Sequence, residues 1–217
     1  MNIEQARFNM IEQQIRPWDV LDVDVLNIIE NTPRELFVPK AHQKLSFSDL
    51  EIPLGNDQFM MSPKLEARML QALQIQPSDE ILEIGTGSGF VTACLAKLGK
   101  QVDSIEYFEH FSKQAEHITQ QLGLHNIYFQ VNDILTNPLP NKKYDVIAVT
   151  ASVPVYTDQF KKYLNENGRL FVIAGKAPVM HAKLITRIDK SSFLESNLFE
   201  TNLPPLIGAQ TPETFEL

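Results

Sequence analysis

The sequence predicts an α/β fold: a doubly wound, largely parallel sheet with helices on both faces and a helical extension at the N-terminus. Three observations predict it. Strand-like and helix-like stretches alternate from residue 80 onward, the pattern of βαβ units. Tyr144 to Val149 is nearly continuously apolar, as in a strand buried on both faces. Residues 80–89 run five strand-like residues into glycines at 85, 87 and 89, with a helix-like stretch directly after. A parallel sheet delivers a small polar ligand to a helix N-terminus in this way. Glycines there let the backbone turn and approach the ligand with no Cβ in between.

The elements follow in order. Residues 2–15 place Ile3, Phe8, Ile11 and Ile15 at roughly helical spacing, and Arg16-Pro17-Trp18 ends that helix. Asp22 is an N-cap for a second helix that buries Val25, Leu26 and Ile29 and stops by Thr32-Pro33. Residues 33–61 are proline-rich and lack periodicity, which predicts an irregular functional cover over a site. Ser62-Pro63 opens a helix with serine as N-cap, and Leu65, Met69 and Leu73 face a core. Pro77-Ser78-Asp79 turns into strand 80–84, followed by helix 90–98, strand 101–105 and helix 109–122 ending at Gly123. Strand 127–131, the strand from Tyr144, helix 158–164 with Thr157 as cap, a turn at Asn167-Gly168 and strand 169–173 come next. Two antiparallel strands around Asp189-Lys190-Ser191-Ser192 complete the sheet. The expected organisation is an N-terminal helical extension with the irregular cover, residues 1–61, on the alternating unit, residues 62–217, forming one compact body.

Composition narrows the function. Hydrophobic residues make up 43% and charged residues 21% of 217 positions, enough apolar sequence for an ordinary core. A net charge of −8 argues against a nucleic-acid surface, which needs clustered Lys and Arg. The one cysteine, Cys94, allows no internal disulfide and suits a reducing compartment. No apolar run reaches the ~20 residues of a membrane span, so a soluble, cytoplasmic protein is expected, monomeric or weakly self-associating. No Cys/His spacing suggests a metal site.

The glycine loop has two readings. A dinucleotide fingerprint needs G-x-G-x-x-G, but position 90 is Phe and the third glycine is Gly89. The G-x-G-x-G spacing after Glu83 resembles the first motif of class I S-adenosyl-L-methionine methyltransferases. Glu106, about 20 residues after the loop begins, stands at a strand end where a carboxylate can accept both ribose hydroxyls. Asp133 follows the next strand, where this class binds the adenine amino group. Three carboxylates in register on successive strands favour the methyltransferase reading.

Longer stretches are more specific. Thr32-Pro33-Arg34-Glu35-Leu36-Phe37-Val38-Pro39, Phe47-Ser48-Asp49-Leu50-Glu51-Ile52-Pro53-Leu54-Gly55 and Leu82-Glu83-Ile84-Gly85-Thr86-Gly87-Ser88-Gly89 resemble segments of the protein-L-isoaspartate O-methyltransferase family. The resemblance covers about Met10 to Gly175. It implies a Rossmann-like class I methyltransferase sheet and methyl esterification of isoaspartyl carboxylates in damaged proteins. It also implies an S-adenosyl-L-methionine site formed by Glu83, Gly85, Thr86, Gly87, Ser88, Gly89, Glu106, Tyr107, Asp133, Ile134 and Met60. On the acceptor side it points to Met61 and Ser62, and the position of Thr150 at a strand's carboxyl end adds that residue. Met61 stands where the family carries a serine, and Ser62 is one residue later. Thr150 and Ser152, after the fourth strand, are the polar candidates facing the acceptor, and hydrogen bonding in the turn before Pro154 is their other reading.

A substrate carboxylate is ionised at pH 7, so methyl transfer needs no general base, and positioning and desolvation supply the rate. The chain shows no nucleophile–base constellation, in keeping with that chemistry. Two alternatives stand beside it: another acceptor on the same scaffold, with Met60 and Met61 lining an apolar pocket, or a cofactor-binding protein without isoaspartyl activity.

Overall fold

Asn2 opens the first helix by accepting a hydrogen bond from Gln5 N at 3.2 Å. The computed structural model describes residues 2–140, 142–156 and 158–209. Helix α1 (Ile3–Met10) widens into a π turn at Ile11–Ile15 and tightens into a 3₁₀ turn at Arg16–Trp18. Met10, Ile11 and Ile15 are buried, whereas Ile3 and Phe8 remain exposed. Asp22 caps α2 (Val23–Glu30) by accepting from Asp24 N and Val25 N, and the predicted apolar trio is buried.

The cover holds more regular structure than its sequence predicts. Two 3₁₀ turns, Arg34–Leu36 and Lys40–Leu45, precede a hairpin of β1 (Ile52–Gly55) and β2 (Gln58–Met60). Gly55, Asn56 and Asp57 all take positive φ at its tip, a conformation that Gly, Asn and Asp tolerate best. Strands of four and three residues are too short to show alternation, so periodicity misses them.

Helix α3 (Pro63–Leu73) starts where predicted, and Leu65, Met69 and Leu73 are buried. Ser62 occupies the N-cap with extended backbone, but its side chain makes no capping bond; its carbonyl accepts from Leu65 N and Glu66 N instead. The alternating half follows: β3 (Glu80–Ile84), α4 (Phe90–Leu98), β4 (Gln101–Glu106), α5 (Glu109–Gln121), β5 (Ile127–Val131), β6 (Tyr144–Val153), β7 (Leu164–Lys176), β8 (Val179–Arg187) and β9 (Phe193–Thr201).

Seven strands form one sheet in the order β5-β4-β3-β6-β7-β8-β9. Its first four pairings are parallel and the last two antiparallel. Two details differ from expectation. The predicted helix 158–164 is 3₁₀ structure, Asp158–Tyr163, and Leu164 already belongs to β7; its expected cap, Thr157, lies outside the described residues. Asn167-Gly168 is an irregularity inside β7, where Asn167 takes φ +62° and the register slips between the Tyr144–Leu164 and Val146–Arg169 pairs. Turn residues can make a bulge as readily as a turn.

Apolar side chains pack on both faces. Along β6, Val146 and Ala148 join one core, and Ile147 and Val149 join the other. The first core also contains Met10, Ile15, Ile29 and Phe37, so the N-terminal extension is packed onto the sheet and α4 through shared apolar contacts. No described helix is long and apolar enough to cross a membrane.

Candidate active site

The carboxyl ends of β5, β4, β3 and β6 open into one cavity of about 810 Å³, counted with its mouth. Open α/β sheets bind ligands at this edge, where strand order reverses; here β3 leads to β4 on one side and β6 pairs on the other.

The floor is the glycine loop. Gly85 takes φ +98°, and a Cβ there would lie 2.5 Å from Thr150 Oγ1. Gly87 takes φ +52° and donates its N–H to Glu106 Oε2 at 2.8 Å. Phe108 N donates to Glu106 Oε1 at 2.9 Å. The Glu106 carboxylate is therefore held by one backbone donor on each oxygen, and each oxygen keeps lone-pair capacity for a ligand. Asp133 is fixed similarly, by Leu135 N at 3.0 Å and Thr136 Oγ1 at 2.8 Å. Both carboxylates line the cavity, as do Gly85, Thr86, Gly87, Ser88, Tyr107, Ile134, Met60, Met61 and Thr150.

Glu83, Gly89, Ser62 and Ser152 do not line it. Glu83 is fully buried beneath the loop, where Thr92 Oγ1 donates at 2.5 Å and Ser104 Oγ at 2.6 Å to its Oε2. The Thr86 hydroxyl lies 2.6 Å from Ser104 Oγ, so a chain of hydroxyls links loop, β4, Glu83 and α4. Glu83 Oε1 is buried with no hydrogen-bond partner. Burial pushes this carboxyl up to about 8, against the pull of its two hydroxyl donors. Glu83 supports the loop from below, and its carboxylate does not reach the cavity. Gly89 starts α4 with φ +86°, and a Cβ there would lie 2.6 Å from Ala115 Cβ; it permits close packing of α4 on α5. Ser62 is buried at the start of α3, away from the lining.

Thr150 and Ser152 need correction as donors to an acceptor. The Thr150 hydroxyl points at the carbonyls of Ile84, at 3.0 Å, and Gly85. A hydroxyl has one proton, so Thr150 holds the loop and offers no donor to a ligand. Ser152 Oγ is fully buried and donates to Leu203 O at 2.6 Å.

Glu66 is a site residue that pattern reading overlooks. It lines the cavity and pairs with the Arg34 guanidinium, both almost wholly buried. Its signal was available: position 66 shares a helix face with Met69, Leu70 and Leu73, which are buried, and a charge on an apolar stripe demands a partner. Burial pushes the Glu66 carboxyl up to about 7, opposed by Arg34. Among the described residues, the lining thus carries three carboxyl groups, Glu66, Glu106 and Asp133, and no Lys, Arg or His. Those acceptors repel a pyrophosphate and suit a cationic ligand with hydroxyl and amino groups to donate.

The protein-L-isoaspartate(D-aspartate) O-methyltransferase family model matches residues 5–210. The chain belongs to this family. The protein-L-isoaspartate O-methyltransferase 1 of Syntrophobacter fumaroxidans is 37% identical over 175 residues, covering 81% of this chain and 82% of that one. The enzyme of the same family from Syntrophus aciditrophicus is 32% identical over 207 residues, covering 94% and 95%. A Plasmodium falciparum protein-L-isoaspartate O-methyltransferase, solved with S-adenosyl-L-homocysteine, superimposes with a TM-score of 0.77 over 95% of this chain and 98% of that one, at 19% identity. At that identity the likeness carries the fold. Within the isoaspartyl methyltransferase family, the Rossmann-like class I sheet read from the alternating sequence is the fold found here.

Proposed function

We propose that the chain transfers a methyl group from S-adenosyl-L-methionine to the free carboxylate of isoaspartyl residues in damaged proteins or peptides. Membership of the isoaspartyl methyltransferase family supports the reaction. One structural observation carries the cofactor: the all-acidic ionisable lining, with Glu106 and Asp133 pre-positioned by backbone donors. A sulfonium cofactor is net cationic at pH 7, so these groups complement it.

The residues divide the work as follows. Glu106 accepts the ribose hydroxyls, and Asp133 accepts the adenine amino group. Gly85 and Gly87 bring their backbone to the cofactor, and Gly85 leaves room for the Thr150 hydroxyl that holds the loop. Tyr107 and Ile134 flank the base, and Met60 and Met61 face the reacting end. The cofactor supplies an electrophilic methyl on a positively charged sulfur. The acceptor carboxylate is ionised already, so the chain needs no base. Its contribution is exclusion of water: the β1–β2 hairpin puts Leu54, Phe59 and Met60 against the cavity, and a desolvated carboxylate is the better nucleophile. Residues 1–61 act as a helical extension and active-site cover on residues 62–217. The protein works in the cytoplasm on protein substrates, without nucleic acid or membrane, as a monomer or weak homo-oligomer.

The test is direct. An isoaspartyl peptide and radiolabelled cofactor should give base-labile methyl ester, while the matching aspartyl peptide should not. Equal labelling of the two, or of neither, overturns the assignment.

A further inference from the structure

The wall of the cavity beyond β6 is built by a segment that no motif marks. After β9 the chain returns across the carboxyl ends of the strands, and Ser152 grips it at three points. Ser152 N donates to Pro204 O at 2.9 Å, Leu206 N donates to Ser152 O at 2.9 Å, and Ser152 Oγ donates to Leu203 O at 2.6 Å. Residues 152 and 205 form a parallel bridge. The clip sits where β6 slips register against β7, between the Ala148–Phe171 and Ser152–Ile173 pairs. A bulged strand end leaves backbone groups free to take another partner.

The segment is stiff. Pro204 and Pro205 have fixed φ and no N–H, so they cannot sit in a helix interior, and Pro204 bonds through its carbonyl. Leu203 is buried, and Ala209 N donates to Leu206 O at 3.0 Å, closing a turn around Ile207 and Gly208. Leu206 and Ile207, both half-buried, therefore face the cavity from a fixed position. They lie on the β6 side, with β3 and its glycine loop between them and Glu106. Leu206 packs against the apolar cluster that holds Val149 and Val153 of β6.

We propose that Leu206 and Ile207 form the specificity-determining wall of the acceptor site, selecting isoaspartyl residues with an apolar neighbour, and that Ser152 is their positioning residue. This inference rests on the isoaspartyl reading above. Leu206 and Ile207 present apolar side chains, so an apolar neighbour gains contact with them, whereas a charged one is desolvated against them without a partner.

The test uses the full chain and two isoaspartyl peptides that differ only in the flanking residue, leucine or aspartate. The parent should favour the leucine peptide about tenfold or more in kcat/KM. Ile207→Asn should cut that preference to about threefold or less by raising KM for the leucine peptide, with the dissociation constant of S-adenosyl-L-methionine unchanged. Ser152→Ala should do the same, and Ser152→Thr, which keeps the hydroxyl, should restore the preference. If Ser152→Ala does not fold, Ile207→Asn decides alone. A parent that treats both peptides alike, or variants that weaken cofactor binding and leave the preference intact, overturn the inference while the isoaspartyl reading stands. A parent that binds cofactor and methylates neither peptide overturns that reading, and the inference with it.

Discussion

Arg34 and Glu66 form an ion pair that is about 1–2% exposed and joins the cover to α3. The guanidinium also donates to Ser46 O and Met61 O, each at 2.8 Å, and lies 4.8 Å over the Phe90 ring. One side chain thus ties both ends of the cover to the helix beside the cavity, and sets the carbonyl of Met61.

Removing one partner of this pair leaves a buried charge without compensation. Arg34→Met should lower stability by about 3–5 kcal/mol in urea unfolding. The double variant Arg34→Met/Glu66→Leu should regain a large part of that loss, because replacing both charges by apolar groups removes the desolvation penalty. A double variant no better than the single one would show that the bonds to Ser46 and Met61, and not the charge pair, hold the cover.

Glu83 makes stability depend on pH. Its folded-state value is raised from 4.5 to about 8 by burial, so the native state binds the proton more tightly than the unfolded chain. Its contribution is full below about pH 4.5 and is lost as pH climbs through 8. Glu66, raised to about 7, adds to the same trend. Glu83→Gln should flatten the fall in unfolding free energy, measured with urea, across this range by up to about 1.4 kcal/mol per pH unit. An unchanged slope would refute the assignment.

Two glycines with similar φ should respond differently to alanine. Gly123 takes φ +73° and has nothing within 4 Å of the place a Cβ would take, whereas at Gly89, φ +86°, the added carbon meets Ala115 Cβ at 2.6 Å and its Cα at 3.1 Å. Gly123→Ala should cost about 1 kcal/mol of backbone strain. Gly89→Ala should cost clearly more, since α4 and α5 must separate. Thermal unfolding of the two variants side by side measures the difference.

Cofactor affinity should depend on Glu106 and Asp133 unequally. Asp133→Ala removes one ligand contact and should weaken S-adenosyl-L-methionine by about 10–100-fold in calorimetry. Glu106→Ala also releases Gly87 N and Phe108 N, so the loop loses its brace and the loss should be larger. Equal effects would mean that Glu106 acts only as a ligand group.

Much of this molecule is legible in its order of residues. The alternation after residue 80, the helix starts at Asp22 and Ser62-Pro63 and the apolar run of β6 follow from local periodicity and backbone preference, which need no partner to be read. So do the glycine loop and the strand-end carboxylates, because a parallel sheet puts successive strand ends on one edge. The roles of hydroxyls and buried charges are different, since they depend on which group stands opposite. Thr150 and Ser152 look alike in sequence, yet one braces the glycine loop and the other grips residues 203–206, 51 or more positions away. Arg34 and Glu66, 32 residues apart, meet only because the cover folds back on α3. Sequence alone determined the sheet, the loop and the family. Tertiary structure alone decided which polar groups remain open to a ligand, because a hydrogen bond formed inside the fold removes its donor from the site.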